Sequence, residues 1–199
     1  NCEVCNDCKT QRAQHRKKSS KKKRKGIDPL PEANKFADQI LADHMILSKE
    51  EASRFGKTVS LTVNDRCTNW TQSFASKHKD AEETKHGFKR FLGPQKRPEH
   101  VYSDGSKELD KACRDLEYLH DISTPHEPAT NGIIERVNRR VIEGTSCALS
   151  QSGLTNEWWE EAQDCFNFLW NCTEICKSGK TPYEHRFERK FEGPLWPFG

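Results

Sequence analysis

The sequence predicts a mixed α/β layer fold, in which strands come first and helices are interspersed and then dominate. The clearest strand is residues 58–64, where Val and Leu alternate with small polar residues. The clearest helix is residues 80–92, where apolar residues recur at helical spacing until Gly93-Pro94 ends the pattern. These two patterns, in this order, are typical of a sheet covered by helices.

Length and composition favour one domain with appendages, because 199 residues can bury a substantial core. Charged residues make up 32% of the chain and the mean hydropathy is -0.98, which predicts a soluble protein. No apolar run approaches about 18 residues, so we expect no transmembrane helix and no membrane partner. No signal peptide is visible. The chain begins with Asn1, and its one methionine is Met45, which we interpret as a sign of a fragment of a longer polypeptide.

Basic charge is concentrated at the N-terminus. Residues 1–25 carry ten Lys and Arg against Glu3 and Asp7, a net of +8, whereas the remainder has 23 basic and 28 acidic residues, a net of −5. Only this arm is therefore strongly basic, and we expect it to be disordered or extended in isolation. Gly and Pro residues that follow it place a boundary near residue 34.

The first half of the remaining chain contains the predicted strands. Residues 36–47 are apolar, but their period suits a strand or a helix and the pattern alone does not decide. After strand 58–64, which we expect to be half-buried, a turn at Asp65-Arg66 leads to a return strand at 68–75. A short strand at 100–103 follows the first helix, and Asp104-Gly105 forms its exit turn.

The second half contains the predicted helices. Apolar spacing predicts a helix over about 107–120, and Ile122 could start a short strand. Pro125 and Pro128 predict an extended loop, after which Asn131 is the expected N-cap of the next helix. That helix has one apolar stripe, formed by Ile134, Val137, Val141 and Ala148. A last helix starts at about Thr155 and is expected to bury one side, formed by Trp158, Ala162, Cys165, Phe166 and Leu169.

Nine cysteines are an odd number spread over a mixed sequence, which suits a reducing compartment better than a disulfide framework. The sequences NWT at Asn69 and NCT at Asn171 match the glycosylation acceptor pattern, and we interpret both matches as accidental.

Three acidic residues lie in informative local contexts. Asp43 ends the apolar segment FADQILAD, Asp104 lies in VYSDGSKEL, and Glu135 lies in STPHEPATNGIIERVNR. Carboxylates that follow neighbouring buried strands or open a helix can converge, and converging carboxylates bind hard cations such as Mg²⁺. A simpler reading also remains: Asp104 is a turn residue, and Glu135 is a first-turn carboxylate favoured by the helix dipole.

From about residue 36 to its end, the chain resembles the integrase core of copia-type retrotransposons. The similar segments are STPHEPATNGIIERVNR, VYSDGSKEL, TVNDRCTNWTQSFASKHKDAEET and the closing GKTPYEHRFERKFEGPLWPFG. The resemblance implies a ribonuclease-H-like mixed β-sheet flanked by helices, with Asp43, Asp104 and Glu135 as a catalytic D, D, E triad. It divides the chain into a truncated zinc-binding module and basic linker (1–34), the catalytic core (35–153), and the C-terminal helix of the core with a trailing segment (154–199).

The same resemblance implies the chemistry and the partners. The triad would bind two Mg²⁺ or Mn²⁺ ions, which can clamp the attacking and leaving oxygens of a phosphodiester exchange. The reactions would be 3′-end processing of element DNA and transfer of those ends into target DNA. Four basic residues near the acids would contact DNA phosphates: Lys107, Arg136, Arg139 and Arg140. A homo-oligomer is implied, as is a nuclear location, with a cytoplasmic particle as a further location.

Departures from the family pattern leave a second interpretation open. Gly105-Ser106 follow Asp104 where the family usually has Asn-Gly, His44 follows Asp43 where glycine is usual, and only 30 residues separate Asp104 from Glu135. Asp38 is a rival first acid, although five residues from Asp43 it would face the other side of a strand. The alternative function is a catalytically degenerate fragment that only binds nucleic acid or other partners.

Cys2 and Cys5 resemble half of an integrase zinc site, whose histidines would lie upstream. Structural zinc needs four ligands, and Cys8 or His15 could contribute, but no complete local site is evident. We expect a metal-free end in this chain and zinc in the intact parent. The run RKKSSKKKRK suits sequence-independent DNA affinity and nuclear localisation, or else a solvated linker.

Overall fold

The computed structural model describes residues 2–8, 32–122 and 128–199. The predicted basic arm and the loop around Pro125 fall largely outside these residues. The helices are α1 (Glu3–Cys8), α2 (Ala81–Leu92), α3 (Lys107–Asp115), α4 (Pro128–Ser152), α5 (Trp159–Thr173) and α6 (Pro182–Phe187), and two 3-10 turns occupy Lys49–Glu51 and Asn156–Trp158. The strands are β1 (Gln39–Ile46), β2 (Val59–Asp65), β3 (Thr71–Ser76), β4 (His100–Ser103) and β5 (His120–Ile122).

The five strands form one mixed sheet in the order β3-β2-β1-β4-β5. The first three strands pair antiparallel, whereas β4 and β5 continue from β1 in parallel. The ambiguous segment 36–47 is therefore a strand, and it lies at the centre of the sheet. Its central position explains why Ile40, Leu41 and Ala42 are consecutive apolar residues, because helices cover both faces of the sheet there.

Helices cover both faces of the sheet. On one face, α2 and α3 bury a cluster that includes Ile40, Val63, Phe88 and Phe91. On the other face, α4 packs its apolar stripe against β1 and β4. The predicted mixed α/β architecture is confirmed.

The prediction that strand 58–64 is half-buried is wrong, because all seven residues of β2 are buried. The polar positions that were expected to face solvent lie under α5. Ser60 Oγ donates to Gln163 Oε1 at 2.7 Å, and Thr62 Oγ1 bonds Ser73 Oγ at 3.2 Å. A buried polar layer is stable when its members are hydrogen-bonded to each other.

The same polar layer corrects the predicted orientation of the last helix. The buried side of α5 consists of Trp159, Ala162, Gln163, Asn167 and Asn171. Three of these side chains are amides that bond the sheet, so an apolar stripe is a poor guide to the buried face. The expected stripe through Cys165, Phe166 and Leu169 is half-buried instead.

Helix boundaries follow local chemistry. Gly93 ends α2 at φ 83°, as the sequence indicated. At the other end, Asp80 caps α2 by accepting a hydrogen bond from Glu83 N at 2.9 Å. Helix α4 begins at Pro128 and not at Asn131, because a proline is tolerated in the first turn of a helix. Helix α3 ends at Asp115, which is earlier than expected, and β5 ends at Ile122 rather than starting there.

Among the described residues, no helix is both long enough and apolar enough to span a membrane.

Candidate active site

The sheet register places Asp43 and Asp104 next to each other. Strands β1 and β4 run parallel, and their last paired residues are Ala42 and Ser103. The next residue on each strand is a carboxylate, Asp43 on β1 and Asp104 directly after β4. Since adjacent strands lie about 4.8 Å apart, the two side chains emerge as neighbours where the pairing ends.

Asp43 lies inside β1, and not at the end of the strand as the sequence suggested. Antiparallel pairing with β2 continues from Asp43 opposite Thr62 to Ile46 opposite Val59. Beyond Ala42, β1 therefore remains hydrogen-bonded to β2 on one side but no longer pairs with β4 on the other. This half-open edge leaves room beside the carboxylate.

The turn after β4 fixes Asp104 by local hydrogen bonds. Asp104 Oδ1 accepts from Ser106 N at 3.3 Å, and the Ser106 side chain caps α3 by accepting from Leu109 N. Ser103 Oγ lies 2.8 Å from His120 Nε2, which ties the end of β4 to β5. Asp104 is therefore a turn residue, as the simpler reading predicted, and it also lies beside Asp43.

Helix α4 brings Glu135 to the same region. Asn138, one turn after Glu135, donates from Nδ2 to Asp43 Oδ2 at 2.7 Å. Ile134 and Val137, which flank Glu135, are buried against Leu41 and Tyr102 of the sheet. The Glu135 side chain is exposed on the adjoining face of the helix.

The pKa of Asp43 depends on both of the other acids, Asp104 and Glu135. Burial, then the negative charge of Asp104 and, more weakly, that of Glu135, together raise the pKa of Asp43 from 3.8 to about 6. A hydrogen bond from the backbone N–H of His44 and the positive charge of Lys79 oppose this shift. An ionised Asp43 thus lacks compensating positive charge, which a divalent cation would supply.

The donor set fits a hard cation, because carboxylate oxygens are the ligands that Mg²⁺ and Mn²⁺ prefer. Within residues 2–8, 32–122 and 128–199, however, no three His, Cys, Asp or Glu side chains are gathered as a ready metal site. Asp43 and Asp104 are adjacent, whereas the exposed Glu135 would have to turn inward to share an ion with them.

Sequence reasoning gave no role to Lys79, Asn138 or His44, which also lie at this site. Lys79 Nζ is 3.6 Å from Glu108 Oε2, and its charge acts on both Asp43 and His44. Burial lowers the pKa of His44 to about 4, so its ring is neutral near pH 7 and bonds Thr84 Oγ1 at 3.2 Å. Two sequence signals could have identified these residues. Lys79 lies in the segment TVNDRCTNWTQSFASKHKDAEET, which resembles the integrase family, and Asn138 lies one helical turn after Glu135.

Asp38, the rival first acid, is a turn residue. It precedes β1, and its Oδ2 accepts from the backbone N–H groups of Asn34 and Lys35 at 2.8 and 3.0 Å. Burial raises the pKa of Asp38, but these hydrogen bonds and the Lys35 charge outweigh it, so the pKa is lowered. Its Oδ2 is engaged just before the start of β1, at the opposite end of the β1–β4 pairing from Asp104.

Three of the four predicted phosphate contacts are open to solvent near the acids. Lys107 is exposed as the first residue of α3, Arg136 is exposed, and Arg139 is half-buried. Arg140 differs from the other three, because its half-buried side chain is engaged within the protein. Its Nη2 donates to Thr71 Oγ1 at 2.8 Å, and its guanidinium lies 4.2 Å from the Trp170 ring.

The displacement of Arg140 follows from helix geometry. Five positions after Glu135, a side chain points about 140° away around the helix, whereas Arg139 returns to the same side. Burial accordingly lowers the pKa of Arg140 to about 10. Arg140 is thus a structural residue between α4, α5 and β3.

The N-terminal cysteines lie on the outer side of α4. Cys2 is exposed just before α1, Cys5 lies within α1, and Cys8 Sγ is 3.6 Å from the Ser146 carbonyl oxygen. His15 lies outside the described residues. Within the part of the chain that the structure describes, these cysteines form no complete zinc site.

Comparison with known proteins identifies the fold. No protein-family model matches the sequence. The structure is similar to the catalytic core domain of BIV integrase, with TM-score 0.55 and 15% identity, covering 76% of this chain and 95% of that one. It is also similar to the HTLV-2 integrase catalytic core in complex with magnesium (trimeric form), with TM-score 0.56 and 17% identity, covering 75% and 96%.

A third similar structure is a simian T-cell lymphotropic virus intasome in complex with PP2A regulatory subunit B56 gamma. The TM-score is 0.63 and the identity 17%, covering 83% of this chain and 59% of that one. The chain therefore has the ribonuclease-H-like fold of integrase catalytic cores, as the sequence resemblance implied. At these identities the likeness shows the fold alone.

Proposed function

We propose that this chain is the catalytic core of a copia-type retrotransposon integrase, a polynucleotidyl transferase that processes DNA 3′ ends and joins them to target DNA. The observation that carries the proposal is that Asp43 and Asp104 are the first residues after the β1–β4 pairing ends, with Glu135 acting on the pKa of Asp43. The integrase-like fold supports it, and one of the similar cores was solved with magnesium.

The three carboxylates would hold the metal, and each neighbour has a defined task. Bound Mg²⁺ or Mn²⁺, as two ions, would supply the positive charge that activates the attacking oxygen and stabilises the leaving one. Asn138 fixes the rotamer of Asp43 through its 2.7 Å hydrogen bond. In processing, a water oxygen would attack the phosphorus while the bond from phosphorus to the 3′ oxygen of the element strand breaks. That oxygen takes up a proton and becomes the free 3′-hydroxyl, and the terminal nucleotides depart with the phosphate. In transfer, the freed 3′-hydroxyl attacks a target phosphodiester, and the target strand breaks as the new bond forms.

DNA binding at this site would use Lys107, Arg136 and Arg139. All three are at least partly open to solvent near the carboxylates, and contacts to phosphates orient DNA without reading its sequence. Orientation is itself catalytic, because in-line displacement requires a fixed angle between the attacking and leaving oxygens.

We also propose self-association, zinc in the parent and a nuclear location. The similar cores include a trimeric form and an intasome, which supports a homo-oligomer here. Cys2 and Cys5 would contribute to a zinc site with ligands from a longer parent chain. The basic run near the N-terminus is the reason for a nuclear location, whereas a cytoplasmic particle as a further location rests on the family resemblance alone.

A second candidate function is nucleic-acid binding or partner binding without catalysis. The observation that favours it is the turn after β4, where Asp104 accepts from the Ser106 N–H and Ser106 caps α3. A carboxylate already engaged in a turn is less free to bind metal. The short spacing of 30 residues between Asp104 and Glu135 points the same way.

A strand-transfer assay separates the two candidates. Purified protein is incubated with Mn²⁺, a labelled oligonucleotide duplex and plasmid DNA, and joined product is measured for wild type, Asp104→Asn and Glu135→Gln. The matched control is Asp121→Asn, an exposed acid on β5. We expect joining in wild type and the control, and a loss of at least about 100-fold in both site variants.

Two outcomes would reject the proposed enzymatic function. Equal joining by Asp104→Asn would show that the carboxylates are not the catalytic groups. Wild-type protein that binds DNA but never joins it would favour the second candidate. Arg140→Met serves as a further check, since it should lower stability without weakening DNA affinity, whereas Arg136→Ala should weaken affinity.

A further inference from the structure

A basic cleft lies at the end of the sheet opposite the carboxylates. It consists of two adjoining depressions of about 570 and 540 Å³, which share the wall Gln95–Arg97. His86, Lys89, Arg90, Lys96 and Arg97 line the first depression, which contains no acidic residue. From Lys89 to Arg97 the sequence KRFLGPQKR holds four cations and no anion.

The sheet topology places this cleft away from the candidate active site. The loop that carries Lys96 and Arg97 leads into β4, and Glu99 N and His100 N bond the carbonyl oxygens of Ala37 and Asp38, just before β1. The cleft thus lies where β1 and β4 begin, whereas the carboxylates lie where their pairing ends. Five residues of strand separate Asp38 from Asp43, which is about 16 Å.

The cations of the cleft are available to a ligand. Lys89, Arg90, Lys96 and Arg97 are all exposed. Within the described residues, neither Lys89 nor Lys96 has a carboxylate partner, and Lys96 Nζ lies 5.0 Å from the Phe36 ring. Arg97 approaches Glu117 at 3.6 Å, but both side chains are at least 70% exposed, so this pair is weak.

The chemistry of the surface favours a nucleic acid over an acidic protein. Stable protein interfaces have an apolar, aromatic-rich centre. None of the large exposed apolar side chains of the described residues lines this cleft. Exposed lysines and arginines in a row instead match the phosphates of a nucleic-acid backbone.

We propose that the basic cleft binds the sugar–phosphate backbone of a DNA segment other than the one whose phosphodiester reaches the carboxylates. This inference rests on the proposed function, in which two DNA molecules must be held together. The cleft gives the second segment a charged surface on the same core, and contacts of this kind carry no sequence preference.

Salt dependence of DNA binding tests the cleft directly. Fluorescence anisotropy of a labelled 20-base-pair duplex is measured with the full chain in EDTA between 50 and 200 mM KCl. The variants are Lys89→Gln/Lys96→Gln and a control of equal charge, Lys49→Gln/Lys177→Gln, whose lysines are exposed elsewhere. Each lost phosphate contact reduces the slope of log K against log salt by about 0.9.

We expect the cleft variant to lower the slope by about 2 and to weaken binding at least about tenfold at 50 mM salt, with little change in the control. Adding Arg136→Ala to the cleft variant should weaken DNA binding by a further factor, because the free-energy effects of distant, independent substitutions add. Equal slopes for wild type and the cleft variant would overturn the proposal, whatever the strand-transfer assay shows. A lowered slope in a protein that never joins DNA would reject the proposed function and keep the cleft as a DNA-binding surface.

Discussion

Asp43 is a carboxylate whose ionisation the fold opposes, so Asp43→Asn gives a quantitative test of the site. Burial and the neighbouring acids raise its pKa from 3.8 to about 6. Each pKa unit corresponds to about 1.4 kcal/mol, which sets a ceiling of about 3 kcal/mol. Because Asp43 is only half-buried, solvent screens part of this, and we expect the ionised side chain to destabilise the fold by about 1–2 kcal/mol.

The effect has a defined pH window. An unfolded chain loses the Asp43 proton near pH 4, whereas the folded chain keeps it until about pH 6. Between these values the unfolded state binds fewer protons, so the contribution of Asp43 to the free energy of unfolding falls as pH rises. Asp43→Asn should therefore match wild type near pH 4 and be more stable by about 1–2 kcal/mol at pH 7.5, raising the Tm by about 2–8 °C.

The assay is thermal unfolding followed by circular dichroism in EDTA at pH 4.5 and 7.5. Glu50→Gln, an exposed carboxylate on a 3-10 turn, is the matched control and should change little at either pH. Added Mn²⁺ should stabilise wild type and leave Asp43→Asn unaffected. An Asp43→Asn protein that is less stable than wild type, or equally changed at both pH values, would refute the reasoning.

Three further substitutions have definite expected outcomes. Asn138→Ala should remove the hydrogen bond that orients Asp43 and lower metal affinity or strand transfer by about 10- to 100-fold, measured beside an unchanged circular dichroism spectrum. Gly144→Ala should destabilise by about 1–3 kcal/mol in urea denaturation, because the new Cβ would lie 2.1–2.3 Å from Phe166 ring atoms; a gain in stability would contradict this packing. Asn171→Ala should cost about 2–4 kcal/mol, because it leaves both the N–H and the C=O of one β3 residue unpaired, and full stability would contradict this pairing.

Much of the sheet and one helix could be predicted from local patterns. The strand around residues 59–65 and the helix 81–92 combine a clear period with strong end signals, such as the Asp80 cap and Gly93. The central strand 39–46 could not be distinguished from a helix, because its consecutive apolar residues Ile40, Leu41 and Ala42 are buried on both faces and show no alternation. Burial on both faces depends on elements that are remote in sequence.

The errors at α5 and β2 share one cause. Asn167 Nδ2 donates to Ser73 Oγ at 2.9 Å, and Asn171 bonds both backbone groups of Thr71. These pairs join residues about 100 positions apart, so neither partner carries a local signal. The burial of Asn171 also makes its NCT match incompatible with glycosylation of the folded chain, since the side chain is 1% exposed.

At the candidate site, the sequence predicted that the acids converge, but it did not indicate which of the nearby arginines lies on the same side of α4 as Glu135. Asp43 and Asp104 are neighbours because β1 and β4 pair in parallel as far as Ala42 and Ser103, a register that the apolar segments did not encode. Arg139 and Arg140 are adjacent in sequence, yet one faces solvent near the acids and the other lies over Trp170. Helix geometry already turns Arg140 away from Glu135, whereas its contact with Trp170 depends on the position of α5, which the sequence around residue 140 does not encode.

The measurement that tests the central claim most directly is a calorimetric titration of Mn²⁺ and Mg²⁺ in the presence of a short DNA duplex, because DNA phosphates can complete such sites. Wild type is compared with Asp104→Asn/Glu135→Gln. The account predicts saturable binding of two ions by wild type and its loss in the double variant. Identical heats from the two proteins would contradict a metal site formed by these carboxylates.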